Sequence, residues 1–423
     1  MKKHYLLFVG CSLLFLSACS TTARRLDTVR DEFANGNFEN QKIGDRNLDP
    51  LLQGNALFQQ DRFNEADRQF EDINRRMPDI QQASILGEAA KALSSQMANS
   101  YKPYFMDDLF ISYYQIWAAL AEGRMSDARV IINQSYAKQQ RLSNEFASLI
   151  RERQRDNNDN GLGAQLRAEN SQWAAFTDIM NPALTYLSGV YFLNIASSPA
   201  DFENARQFLV RANGMVSRNT YIRADLDAAV ARRRPTNTAW IFIESGFAPR
   251  LTERRIDWPM FIGNRVQAIS IATAEPVFLS GATRPDGAEL LADVDAMFMT
   301  EFNEYSVNQA LRALASAVSK AVLQATANKQ LGPWGGLAAT VYSIASTGAE
   351  IRSWVTLPKQ IFIWRVDKES SKFKVQSSNN DVLIELRIGG NVLSEIRVSK
   401  TGNDLIYIRL TNDRPEPKII KLN

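Results

Sequence analysis

Gly54-Asn55-Ala56-Leu57, followed at fixed intervals by Ala66, Phe70, Ile73 and Pro78, is the stretch that decides the fold. It places a glycine first, a large apolar residue three places on, an alanine twelve after the glycine and an aromatic four beyond that. The pattern describes two antiparallel helices that pack closely. Gly54 and Ala66 let the backbones approach, Leu57 and Phe70 fill the seam, and Pro78 stands where it would stop the second helix.

The spacing is that of the 34-residue tetratricopeptide (TPR) repeat. A weaker copy runs through Ala119, Gly123, Ala128 and Ile132, with Glu122-Gly123-Arg124-Met125 as its turn. A third uses Gly189, Phe192, Ala205, Leu209 and Ala212, with four extra residues around Ser197-Ser198-Pro199-Ala200. Together they predict a degenerate TPR-like helical array over residues 47–235. Between the second and third copies, Arg151 to Asn170 alternates in charge and reads as a surface loop or frayed helix.

Arg232-Arg233-Arg234-Pro235 closes the helical half, with cations at a helix C-terminus and proline just past it. An α+β domain is expected over 236–423. Ala239 to Ser245, Val266 to Ala272 and Gln360 to Val366 are apolar runs of strand length, suited to strands buried on both faces. Val307, Leu311, Leu314, Val318, Val322 and Ala325 form one face of a helix within 288–328. From Val382 the chain alternates: Ile384, Leu386 and Ile388, then Ile396 and Val398, then Ile406, Ile408 and Leu410. With tight turns at Gly389-Gly390-Asn391 and Thr401-Gly402-Asn403-Asp404, it reads as an antiparallel β-meander over 381–423. The expected class is an α-helical array followed by an α+β domain.

The amino terminus bears on location. Lys2 and Lys3 precede a short apolar run from Tyr5 to Leu16, which ends in Leu16-Ser17-Ala18-Cys19. That run is too short to span a bilayer and ends at a small-residue cleavage site, so 1–18 reads as a lipoprotein signal peptide. Cys19 would carry the lipid (palmitate included), and residues 19–46, polar and rich in asparagine, would form a tether. Ser20 rather than aspartate follows the cysteine, which favours the outer membrane and its periplasmic face.

Cleavage also removes chemistry. His4 is the single histidine, and Cys11 and Cys19 are the two cysteines. The mature chain would have no histidine and no free thiol, so Ser-His-Asp and Cys-His catalysis and His- or Cys-ligated metals are excluded by composition. No cofactor and no metal site is expected. Of the 49 Lys and Arg, two leave with the signal, and the 47 that remain against 46 acidic residues give no electrostatic case for nucleic acid.

Two features stand out as candidate sites. Glu244 ends a buried-looking strand beside Ser245-Gly246, with Arg250, Arg255 and Asp257 nearby and Arg352 available from a later segment. Such a cluster suits a structural ion pair of Glu244 with Arg250 or Arg255, or else a carboxylate site at strand ends. Residues 330–349 carry no charge, and read as a buried helix after a Gly-Pro turn or as a membrane-contacting segment.

The chain resembles a family of uncharacterised proteobacterial outer-membrane lipoproteins with a TPR-like N-terminal half. The resemblance rests on Asn181-Pro182-Ala183 with Tyr186-Leu187-Ser188-Gly189, on Trp240 to Arg250 with Arg255-Ile256-Asp257-Trp258-Pro259, and on Arg352-Ser353-Trp354 with Thr356-Leu357-Pro358. It covers most of residues 50–366. It implies envelope work without catalytic residues, in a gene setting similar to that of lipoproteins that activate cell-wall synthases. The expected function is a non-catalytic binding or assembly scaffold, held to the outer membrane by Cys19 and meeting envelope proteins through its helical repeats. Two alternatives stay open: a carboxylate enzyme on peptidoglycan or glycan using Glu244 and Asp257, and an accessory subunit of a secretion or flagellar machine.

Overall fold

The computed structural model describes residues 21–422 apart from 87–99, 156–160, 170–179, 263–264, 332–347, 371–373, 377–380 and 411–416. The signal segment, Cys19 and most of the uncharged stretch 330–349 lie outside the described residues.

Three helix hairpins form the amino-terminal half: α2 (Leu48–Gln59) with α3 (Phe63–Leu86), α4 (Phe105–Ala121) with α5 (Met125–Arg155), and α7 (Pro182–Ile195) with α8 (Pro199–Met215). Local chemistry starts them. Asn181 accepts from Leu184 N with Pro182 at the first turn, and Ser198 accepts from Asp201 N with Pro199 following. The small residues sit where the spacing placed them. A Cβ on Gly54 would lie 2.6 Å from Phe70 Cε1, and one on Gly189 would lie 2.8 Å from Leu209 Cγ. Ala66, Ala128 and Ala205 are fully buried.

Two details differ from expectation. Pro78 does not end α3, which runs on to Leu86; a proline inside a helix removes one backbone donor while the bonds on either side of it remain. Leu57 is only partly buried against the core, and it is Phe58 that is fully buried, meeting Phe63 of α3, Tyr114 and Tyr407.

The sheet half has three parts. Strands β1 (Thr238–Ser245), β4 (Glu289–Asp293), β5 (Gln360–Asp367), β9 (Asn403–Leu410) and β10 (Lys418–Leu422) form one sheet in the order β10-β9-β1-β5-β4. β1 runs antiparallel to β5 and parallel to β9. Strands β6 (Lys374–Gln376), β7 (Asp381–Ile388) and β8 (Asn391–Ser399) form a second sheet. β2 (Arg250–Ile262) and β3 (Arg265–Val277) make a separate two-stranded ribbon.

These parts stack in layers, and β1 shows how. Trp240 and Phe242 face the helices, whereas Ala239, Ile241 and Ile243 face the three-stranded sheet. Burial on both faces explains the continuous apolar run. On the helical side, Trp117 of α4 meets Phe242 and Tyr407 at 5.3 and 5.6 Å between ring centres, and Tyr186 of α7 meets Phe242 at 5.7 Å. α4 and α7 are thus a middle layer between the sheet and the outer helices, which is why almost every residue of each is buried. The apolar core runs from Leu26 to Leu422 without a break where helix gives way to strand.

The terminal meander is corrected. β7 and β8 pair across Gly389-Gly390 as expected, but β9 leaves them and joins β1 in the other sheet. Its four consecutive apolar residues, Leu405 to Ile408, are all buried, and that demands a strand covered on both faces.

The tether is corrected as well. Residues 21–34 form a helix, α1, which buries Leu26, Val29 and Phe33 at intervals of three and four. Within Arg151 to Asn170, α6 (Leu162–Glu169) buries Leu162 and Leu166 against Ile269 and Ile271 of the ribbon and Val307 and Leu314 of α10 (Val294–Leu331). The opposite face of β3 is covered only from Ala272 onward, where Ala272 and Ala274 join the main core; Ala268 and Ser270 are exposed, so Val266 to Ala272 is not buried on both sides along its length.

Candidate functional site

The five residues grouped from sequence do not form one cluster. Glu244 is fully buried, and its charge partner is Arg409, from the strand beside it, rather than Arg250 or Arg255. Arg250 bonds Asp27 of α1 at 3.3 Å, and Arg255 pairs with Glu253 on its own strand at 3.1 Å. Asp257 is exposed on the ribbon opposite Ser270. Arg352 reaches Asp45 at 2.6 Å and also bonds Glu350.

Parallel pairing of β1 with β9 sets Glu244 directly beside Arg409 and Phe242 beside Tyr407. Glu244 Oε2 accepts from Tyr407 Oη at 2.8 Å, Tyr114 Oη at 3.1 Å and Arg409 Nη1 at 3.2 Å. Arg409 Nη2 donates to the carbonyls of Gly246 (2.9 Å) and Thr356 (3.3 Å), and Gln59 Nε2 donates to Tyr407 Oη at 2.9 Å. Burial pushes the Glu244 carboxyl above the ordinary carboxylate range, while Arg409 and the two tyrosines pull it back. Three elements, β1, β9 and α4, therefore meet on one carboxylate, and α2 joins them through Tyr407. A group so enclosed and so fully bonded on one oxygen is suited to locking α2, α4 and the sheet together.

Asp225 of α9 (Thr220–Val230) repeats the device: it accepts from Tyr186 Oη, Trp240 Nε1 and Arg365 Nε at 2.7, 2.7 and 2.8 Å. At the start of α4, Glu301 of α10 accepts from Phe105 N at 2.5 Å and Met106 N at 3.1 Å, capping the helix from another element. Asp107 accepts from Tyr101 Oη and Tyr104 N at 2.6 and 2.9 Å. Burial raises Glu301 to about 8 and Asp107 to about 7. Sequence reading missed Arg409, Tyr407 and Tyr114. An arginine closing the buried run Leu405 to Ile408 was the available signal.

An open feature lies elsewhere, on the outer helices. A cavity of about 400 Å³ lies between α5, α7 and α8. Tyr136, Gln139, Gln140, Ser143 and Asn144 contribute one stripe of α5, at spacings of three and four residues. Thr185 of α7 and Phe208 and Arg211 of α8 stand opposite, with Met180 at one end. Arg211 lies over the Tyr136 ring, 4.1 Å from its centre, and bonds its hydroxyl. Gln140 Nε2 donates to the same hydroxyl at 2.8 Å. The face of Phe208 stacks on Phe192, ring centres 5.7 Å apart. Among the described residues, no acidic side chain lines the cavity.

Among the described residues, no three His, Cys, Asp or Glu side chains are grouped to hold a metal ion, and no helix is long and apolar enough to cross a membrane. No family model, curated protein or solved structure matches the chain.

Proposed function

We propose that the protein is an outer-membrane lipoprotein, anchored by lipid on Cys19 at the periplasmic face, that works as a non-catalytic binding or assembly scaffold. The groove between α5 and α8 carries this reading. It is a polar opening on the helical half, with amides, hydroxyls and one guanidinium but no nucleophile and base paired among the described residues that line it. The hairpins support a degenerate TPR-like array, because Gly54 meets Phe70 and Gly189 meets Leu209, the same positions once the four extra residues are allowed for.

The sheet changes how such an array can be used. It covers the faces of α4 and α7 turned away from their partner helices, through Trp117, Tyr186 and Phe242. Partners are thereby directed to the outer helices. The carboxylate-enzyme reading loses support because Glu244 is enclosed while Asp257 stands apart on the ribbon.

A photo-cross-linking residue at Asn144 tests the proposal in cells. A discrete envelope protein or peptidoglycan product captured at Asn144, and not at exposed Val230 on α9, is the expected outcome. Equal labelling from both positions would remove the groove from the argument. Release of soluble muropeptides from purified sacculi would favour the enzyme instead.

A further inference from the structure

Resting on that reading, we propose that the groove between α5 and α8 binds a short peptide through a free carboxylate held at Arg211, with the peptide backbone lying along the α5 stripe. Three observations converge. Arg211 has no carboxylate within ion-pair distance among the described residues, although neighbouring cations do: Arg129 has Asp201, Arg206 has Glu203 and Lys138 has Asp108. Its position is set beforehand by the ring and hydroxyl of Tyr136, which take one N–H of Nη2 and leave Nε and Nη1 without a protein partner among the described residues. The second N–H of Nη2, together with Nη1 or Nε on the same edge, forms a planar fork that matches a carboxylate bidentately.

The stripe supplies the second half of the recognition. Gln140 and Asn144 are neutral amides four residues apart on one helix face, each able to donate to and accept from a peptide backbone. Gln139 is already turned toward α7, its Oε1 accepting from Asn181 N at 3.2 Å and Thr185 Oγ1 at 3.4 Å, so it fixes the wall, while exposed Gln140 and Asn144 face outward.

Shape argues for a peptide over a sugar. Saccharides stack on free aromatic faces, and here Tyr136 lies under Arg211 while Phe208 is stacked on Phe192. The volume, about 400 Å³, is near the small end of the roughly 300–1,000 Å³ typical of ligand pockets, so it suits a few residues of peptide.

The test titrates the detergent-solubilised full-length protein with two amino-terminally labelled pools of random tetrapeptides, one with a free terminal carboxylate and one amidated, read by fluorescence anisotropy. The free-acid pool should bind, and amidation or Arg211→Gln should each weaken it about tenfold to a hundredfold, as expected for a lost charge-assisted pair. Asn144→Ala, at an exposed site, should weaken binding of the free-acid pool with no change in thermal midpoint. Pools that bind equally, or an Arg211→Gln protein that binds like the parent, overturn the proposal. So does binding of an N-acetylglucosamine tetramer that displaces the peptides. If neither pool binds while Asn144 still cross-links a partner in cells, the carboxylate-peptide assignment fails and the scaffold reading stands.

Discussion

Glu244→Gln gives the sharpest test of the core. The substitution keeps the shape and leaves an amide oxygen to accept from Tyr114 and Tyr407; its NH₂ falls where Glu244 Oε1 has no hydrogen-bond partner. What is lost is the negative charge facing Arg409, whose side chain is only 3% exposed. Arg409 keeps its bonds to Gly246 O and Thr356 O but becomes an uncompensated buried cation. Removing one partner of a buried pair costs about 3–5 kcal/mol. For a folded chain of roughly 400 residues, an unfolding entropy of about 2.1 cal/mol/K per residue converts this to a drop of about 4–6 °C in thermal midpoint. Differential scanning calorimetry of the purified protein reads it. Arg409→Met alone should be destabilising too, and the double variant should lose less than the sum of the two, because the pair acts as a unit. Two strictly additive losses, or a Glu244→Gln protein that melts with the parent, would falsify the ion-pair account. A higher-melting Glu244→Gln protein that fails to complement a deletion would revive Glu244 as a functional carboxylate.

Other outcomes follow from single features. Ala66→Leu should cost about 1–3 kcal/mol by overpacking the α2–α3 seam, where Ala66 is fully buried; an unchanged melting curve would put Ala66 outside that contact. Stability should fall as pH rises. Glu301 (about 8) and Asp107 (about 7) hold protons in the folded state that the unfolded chain releases at ordinary carboxylate pKa values. Their contribution is therefore full below about pH 4 and lost as pH climbs through 7 and 8. Glu301→Gln should flatten that slope in urea titrations between pH 5 and 9, and an unaltered slope would exclude Glu301 as its source. Cys19→Ala should move the protein out of the outer-membrane fraction, and persistence there would show that another feature anchors it.

Much of the fold was legible because it depends on local periodicity. The Gly54-to-Phe70 spacing described a helix hairpin, and the run Ala239 to Ser245 described a strand covered on both faces; both are set by residues within a few turns of one another. Leu26, Val29 and Phe33 carried a helical face through the segment read as a tether, masked by the asparagines that follow. The run Leu405 to Ile408 resembled the apolar run of β1 more than the alternation of β7, yet the turn at Thr401 to Asp404 drew it into a meander, since turn chemistry reports that a chain reverses and not which strand it then meets.

The sequence by itself determined the helix hairpins, the strand-forming runs, the confinement of the single histidine and both cysteines to residues 1–19, and the presence of a carboxylate at the end of β1. Tertiary structure alone decided which charge answers that carboxylate. Glu244 has Arg250 and Arg255 near it in sequence, but β1 pairs with β9, and parallel register brings Arg409 alongside while α4 supplies Tyr114. The same layering put the sheet over α4 and α7 and left the groove at Arg211 open on the outer helices. The physical reason is range: helix and strand periodicity is written in neighbours a few residues apart, whereas a buried charge must be matched wherever the packed layers bring an opposite one, here 165 residues away.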